Sequence, residues 1–378
     1  MNEDKAARYH RLRRRALMLG TATTVALLAG LVLTGVSLAL QAWSTSVTSH
    51  LPLPLSSMGA SALFALSLWG LHEPFALSLA HYLGYSLERR YGLSRQRLRH
   101  WVADQARASA LSLLVSVVGV TFVYEVMRLW PAGWWLVVWL AGVLASIGLA
   151  WLAPVVVMPL FFRFTPLSDA TLRQRLVDLS SRAGTPVLGA YEWRLSDRTR
   201  RGMAALIGLA STRRVIVSDT LVSDYSADEV EVVLAHELAH HVHRDAWKGL
   251  ALDAALWGTA LIVASQVLPV ASRSLGLQGI GDLAGLPVLL LVGLVASVLA
   301  LPLINAASRV HECRADDFAL DLTGNPEAFM SAMRRLAAQN LAEESPSRLA
   351  RAFFCTHPPP DERLARARAW RRRAEAQV

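Results

Sequence analysis

Long, nearly uninterrupted apolar stretches alternate along the chain with short polar linkers, and two longer polar regions stand apart. Six stretches, residues 16–43, 57–85, 106–127, 134–161, 250–268 and 283–304, are long enough to cross a bilayer. A hydrocarbon core of about 30 Å takes about 20 helical residues. The second stretch is interrupted by His72, Glu73 and Pro74; polar groups at that depth have to face other helices or a water-filled cavity. The first follows a basic segment, but it is longer than a signal-peptide core and lacks a convincing cleavage site, so a retained anchor helix is expected.

The polar regions are residues 164–247 and 309–378. An even number of spans puts both on one side of the membrane, and the helical hairpin between them brings them together. The expected organisation is a membrane region at 1–162, a catalytic part at 163–249, a transmembrane hairpin at 250–304 and a second catalytic part at 305–378.

Within the first polar region, residues 203–209 and 214–218 read as a β-hairpin around 210–213. Its outer edge can pair with an extended substrate through backbone hydrogen bonds, which makes Met203, Ala204 and Ala205 candidate substrate contacts. Ser226-Ala227-Asp228-Glu229 has the form of a capping box. No Gly or Pro follows until Gly249, so one helix is expected to carry this run, with room to continue directly into the fifth span. On that helix His236 and His240 lie four residues apart and share a face, the spacing with which two imidazoles bind one Zn2+. Glu237 stands one step round, where it can take a proton from water at the metal.

A third ligand is available just after the sixth span. Glu312 and Asp316 are also four apart. Glu312 can complete a His–His–Glu site and leave one position open for water. Asp316 can accept the free imidazole N–H of a ligand histidine and fix its tautomer. His241 and His243 lie off the ligand face, so solvated or supporting roles are expected of them.

Composition agrees with the apolar pattern. Hydrophobic residues make up 53% of the chain and charged ones 18%, with a mean hydropathy of +0.35, whereas a soluble globular chain carries about a quarter charged residues. The net charge of +9 is concentrated near Arg11–Arg15, in 89–99 and after Arg363, while the linkers 44–56, 128–133 and 269–282 are nearly free of basic residues. Beside apolar spans, such blocks act as topology signals and lipid-headgroup contacts rather than as nucleic-acid sites. They place both termini and both polar regions in the cytoplasm, with the chain a multi-pass protein of the cell membrane. Two cysteines, Cys313 and Cys355, are too few for a disulfide framework.

The chain resembles the type I CAAX prenyl endopeptidases and their bacterial relatives, membrane gluzincins with HExxH and ExxxD motifs. Besides those motifs, the similarity rests on several segments. They are Glu88-Arg89-Arg90-Tyr91-Gly92-Leu93-Ser94, Pro159-Leu160-Phe161 with Phe164-Thr165-Pro166-Leu167, and Arg214-Val215-Ile216-Val217-Ser218-Asp219-Thr220-Leu221. The element His357-Pro358-Pro359-Pro360-Asp361-Glu362-Arg363 completes the series, in family order. The resemblance implies a mainly α fold: a polytopic bundle of about six membrane helices carrying a cytoplasmic gluzincin-type zinc protease domain with a small β-sheet. It also implies that His357 and Arg363 lie near the metal, donating hydrogen bonds to the tetrahedral intermediate and holding Glu312 or the substrate. Where the family carries Asn before Ala-Ala, this chain has Met203. The partners implied are a peptide or membrane-protein substrate and the lipid bilayer. Within the same chemistry, an HtpX-like quality-control protease is the alternative reading. Outside it stand a transporter and a catalytically silent scaffold; the intact His236, Glu237, His240, Glu312 and Asp316 argue against the scaffold.

Overall fold

A computed structural model describes residues 2–152, 164–208 and 213–376. The end of the fourth expected span, with Pro159-Leu160-Phe161, and the hairpin turn at 209–212 lie outside the described residues. The first apolar run does not form one span. Helix α1 (Asn2–Leu33) ends where Gly35 takes φ 74, a left-handed conformation open to a residue without Cβ, and the rest of the run forms α2 (Val36–Thr48). Helix α2 packs on α3 (Leu55–His81), and α3 continues through a π-helical turn, Tyr82–Leu87, to Arg90. Helices α4 (Leu98–Leu129) and α5 (Trp134–Leu152) complete the N-terminal membrane part. The polar break in α3 is satisfied by its neighbours: His72 Nε2 lies 3.1 Å from Thr24 Oγ1 of α1, and Glu73 accepts a hydrogen bond from Ser109 of α4.

The first catalytic part is built on a four-stranded sheet of β1 (Phe164–Pro166), β2 (Ala190–Trp193), β3 (Ala204–Ile207) and β4 (Arg214–Ser218), in the order β1-β2-β4-β3. Strand β2 runs parallel to β4, whereas β3 pairs antiparallel with β4 as the expected hairpin and forms a sheet edge. Helix α6 (Ala170–Arg182), the short α7 (Asp219–Asp224) and α8 (Ala227–Val242) cover the sheet. Their shared core includes Leu172, Leu176, Val215, Val217, Val230 and Leu234. The Asp219-Thr220-Leu221 segment has a structural task. Asp219 Oδ1 accepts from the amides of Leu195, Ser196 and Thr220 at 2.8–3.0 Å, and Thr220 Oγ1 donates to the Arg201 carbonyl.

Helix α9 (Asp245–Ser274) re-enters the membrane part and α10 (Leu286–Thr323) returns from it. Six helices are therefore long and apolar enough to cross a membrane among the described residues. Each neighbours the next in a closed ring: α1, α3, α4, α5, α9, α10 and back to α1. Phe64, Leu68, Tyr124, Met127, Trp134, Leu268 and Leu286 pack the end of the ring remote from the catalytic part. Three short helices finish the chain: α11 (Pro326–Gln339), α12 (Arg348–Phe354) and α13 (Pro360–Glu375).

The two parts are tied by charge. Glu88, in the first similarity segment, accepts from Tyr9 Oη at 2.5 Å and from Arg201 Nη2 at 3.1 and 3.2 Å. Arg14 of α1 pairs with Glu343 in the segment between α11 and α12. The basic N-terminus and the loop after α3 thus lie at the catalytic end of the bundle.

The capping box forms as expected. Ser226 Oγ accepts from the Glu229 amide, and Glu229 Oε2 accepts from the Ser226 amide at 2.8 Å. Glu229 Oε1 also accepts from Ser331 Oγ at 2.6 Å and faces Arg335 at 3.1 Å, so α8 is locked to α11 at its first turn. Burial opposes ionisation here, but these donors outweigh it and hold the carboxyl below its ordinary value. A depressed carboxylate contributes stability above its unfolded value of 4.5 and loses it as the pH falls through the folded value. Glu229→Gln should therefore lower the melting temperature in detergent at pH 7, and the gap to wild type should close as the pH is taken below 4.5. A gap that stays constant with pH would mean that the carboxylate charge contributes nothing.

Candidate active site

Helix α8 presents His236, Glu237 and His240 from the interior of the catalytic part, with His236 buried and the other two partly so. Strand β3 packs along one side of α8 and α10 crosses the other. That crossing carries Glu312 to the histidines: its Oε2 lies 3.2 Å from His236 Nε2 and its Oε1 lies 3.4 Å from His240 Nε2. One ligand atom from each of His236, His240 and Glu312 lies within 4.8 Å of the others.

Two observations test whether this cluster suits a cation. Glu312 Oε2 is buried and is not completed by a well-aligned hydrogen bond, although His357 Nδ1 and His236 Nε2 approach it at 2.8 and 3.2 Å. A buried acceptor left in that way is costly unless something else completes it. Secondly, the site draws positive charge. Burial works against a charged His236, yet Asp316 and Glu312 outweigh it and push its pKa up to about 9. His240 is raised in the same sense, with Glu312 and Asp245 overcoming burial. Two imidazoles and one carboxylate are the donor set of a catalytic zinc site with a position left open, and the residues fit it.

Both histidines of the cluster have the other ring nitrogen occupied. His236 Nδ1 stands 3.0 Å from Asp316 Oδ1, and Asp316 receives Arg363 Nε at 2.9 Å together with Nη2. His240 Nδ1 stands 3.0 Å from Asp245 Oδ2. With Nδ1–H donating to a carboxylate, Nε2 is left as the free lone pair on both rings. Asp316 therefore sits where its spacing suggested. Arg363 does not meet Glu312; it pairs with Asp316 and approaches His236 Nδ1 at 3.3 Å.

Asp245 is absent from the sequence reading because of a helix break. Helix α8 does not run on into the fifth span: it ends at Val242, and Arg244 takes φ 56 before α9 begins. In an unbroken helix, a residue five positions on would lie well round from His240. The left-handed residue folds Asp245 back onto the imidazole. An acidic residue shortly after HExxH is a legible signal; the turn that makes it useful is not.

Burial pushes the Glu237 carboxyl above its ordinary value, with the two histidines opposing the shift. His357, ahead of α13, brings Nδ1 to 2.8 Å from Glu312 Oε2 while its side chain stays 62% exposed. At the sheet edge, Met203 is bonded twice to Ser218: its amide donates to the side-chain Ser218 Oγ, and Ser218 N donates to the Met203 carbonyl, each at 2.8 Å. Antiparallel pairs alternate, so Ala205 also faces β4, whereas the N–H and C=O of Ala204 and of Leu206, a residue not singled out from sequence, point to the open edge. The Met203 side chain is 43% exposed and is not a core residue. His243 packs edge-on against Phe318, and neither it nor His241 joins the ligand cluster.

Residues 166–371 match the model of Peptidase family M48, and residues 2–163 match one described as CAAX prenyl protease N-terminal, five membrane helices. The chain is 30% identical over 290 residues to the uncharacterized metalloprotease YhfN of Bacillus subtilis (strain 168), covering 76% of this chain and 68% of that one. It is 26% identical over 300 residues to the CAAX prenyl protease 1 homolog of Oryza sativa subsp. japonica, covering 77% and 68%. In fold it matches the crystal structure of S. mikatae Ste24p with a TM-score of 0.83 at 20% identity, over 97% of this chain and 89% of that one.

The Asp245–His240 contact leads to a measurement. Removing a carboxylate that orients a ligand histidine lowers metal affinity by about 10–100-fold. Asp245→Asn should show that loss in a chelator competition, with the apo-protein melting temperature little changed. Unaltered affinity would reduce Asp245 to a helix-start residue.

Proposed function

Since the chain belongs to peptidase family M48 and is a multi-pass membrane metallopeptidase, we propose that it is a zinc endopeptidase working at the cytoplasmic face of its membrane, with His236, His240 and Glu312 as the ligands. The observation that carries this reading is the convergence, within 4.8 Å, of one ligand atom each from His236, His240 and the buried Glu312. When bound, zinc supplies Lewis-acid polarisation of the scissile carbonyl and eases the deprotonation of water.

The chain's own residues do the rest. Glu237 takes the proton of the attacking water and returns it to the leaving amine. Asp316 and Asp245 hold the ligand imidazoles in the tautomer that frees Nε2, and Arg363 fixes Asp316. His357 has Nδ1 turned to Glu312, which leaves Nε2 to meet the developing oxyanion. Substrate lies extended along β3 as an added strand, bonded to the open backbone groups of Ala204 and Leu206. Such bonds ignore side chains, so binding tolerates many sequences. The Met203 thioether, standing where relatives carry Asn, offers no hydrogen-bond donor there. The Arg-rich N-terminus and loop lie at the catalytic end of the bundle, which supports a cytoplasmic active site.

Purified protein should hold about one zinc per chain. Glu237→Gln should keep that zinc while turnover of a quenched-fluorescence peptide falls by about 10²–10⁴-fold, the usual share of general-base work. Near-wild-type turnover in this variant would reject the mechanism. Orientation is tested separately: accessibility tags after His50, Pro131 and Leu277 should report the outside and a C-terminal tag the cytoplasm. An external C-terminus would overturn the orientation without touching the metal assignment.

A further inference from the structure

Helix α12 has seven residues and stops immediately before the segment Cys355-Thr356-His357. The last carbonyls of any helix lack partners within it. Among the described residues no backbone amide closes this one; Cys355 is extended, at φ −111 and ψ 107. The missing donors come from α10. Asn305 Nδ2 donates to the Ala352 carbonyl at 2.8 Å, and Arg309 Nη1 donates to both the Arg351 carbonyl at 2.9 Å and the Cys355 carbonyl at 2.7 Å. Asn305 is buried and Arg309 partly so. A guanidinium at that end also opposes the negative pole of the helix.

The Cys355 carbonyl is two residues from His357. The His357 side chain is largely exposed, and its close approach to Glu312 Oε2 is held by little beyond its backbone. Downstream, Pro358 and Pro359 are buried and Arg363 is fixed on Asp316, so that side of the segment is anchored. Upstream, the anchor is Arg309. Asn305, Arg309, Glu312 and Asp316 recur at intervals of four, three and four, which places them on one stripe of α10. The helix that supplies the third ligand thus also sets, through Arg309, where His357 stands relative to that ligand.

We propose that Arg309 is a positioning residue for the reaction, acting through His357. This rests on the role given to His357 above. A donor displaced by about 1 Å from its place at the transition state can cost about 100-fold, and its loss reaches kcat rather than KM.

The test is a double-substitution cycle on the full-length, zinc-loaded protein in detergent, with a quenched-fluorescence peptide as the probe. Arg309→Met should lower kcat by about 10- to 100-fold, with KM within about twofold and zinc content unchanged. In a His357→Gln background the same substitution should cost less than about twofold. If His357→Gln alone leaves kcat intact, the role of His357 fails and the proposal falls with it. If His357→Gln is costly but Arg309→Met is silent, raises KM instead or costs the same in both backgrounds, Arg309 is only a helix cap and the proposal alone is overturned. Should Arg309→Met not fold, Arg309→Lys, which keeps a cationic donor with shorter reach, carries the same cycle. It should give a few-fold loss of kcat that disappears without His357, and an equal loss in both backgrounds would again overturn the proposal.

Discussion

Glu312 and Asp316 are buried carboxylates facing the buried imidazole of His236, and that is expensive unless positive charge is supplied at the same place. Removing one partner from a buried ionic cluster costs about 3–5 kcal/mol. Arg363 satisfies Asp316; at Glu312 the proposed zinc would supply the remaining positive charge. The surrounding elements follow from this need. Helix α13 has to place Arg363, the break at Arg244 has to return Asp245, and α10 has to cross α8 with Glu312 at the crossing.

Helix α10 joins this chemistry to the membrane. Its 38 residues, at about 1.5 Å each, extend about 57 Å, nearly twice a hydrocarbon core of about 30 Å. The same helix that packs in the ring therefore projects into the catalytic part as one continuous element. Helix α1 overshoots likewise and meets both the loop after α3 and the segment leading to α12. Together with α10, the pairing of Arg14 to Glu343 and of Glu88 to Arg201 fixes the catalytic part at a set distance from the helix bundle.

The sheet contributes an edge as well as core residues such as Val215 and Val217. Because β2 and β4 pair in parallel, β3 is left outermost and lies against α8. Its exposed backbone groups are a hazard in an ordinary sheet. In the proposed function, beside the metal site, they are the groups that would pair with a strand of substrate. The Asp219, Thr220 and Glu88 contacts to residues 195–201 stiffen the segment that leads into that strand.

What the sequence determined by itself is what depends on neighbours along the chain. A long apolar run makes a span whatever surrounds it, an i, i+4 pair of histidines shares a helix face in any context, and Ser226 with Glu229 caps a helix locally; all of these hold in the structure. The similarity segments allowed the fold itself to be anticipated. Tertiary structure decided what depends on segments meeting from far apart. Arg244 carries a side chain that normally avoids the left-handed region, and only packing at the start of α9 imposes it, so Asp245 could not be assigned from sequence. The turn at Gly35 divided a run that hydropathy alone reads as continuous. The exposure of Leu206 on an edge follows from strand order, and the caps that Asn305 and Arg309 place on α12 link residues with no sequence pattern in common. Such features are set by the relative placement of whole elements, whose energy is spread over many contacts, and no single stretch of chain encodes it.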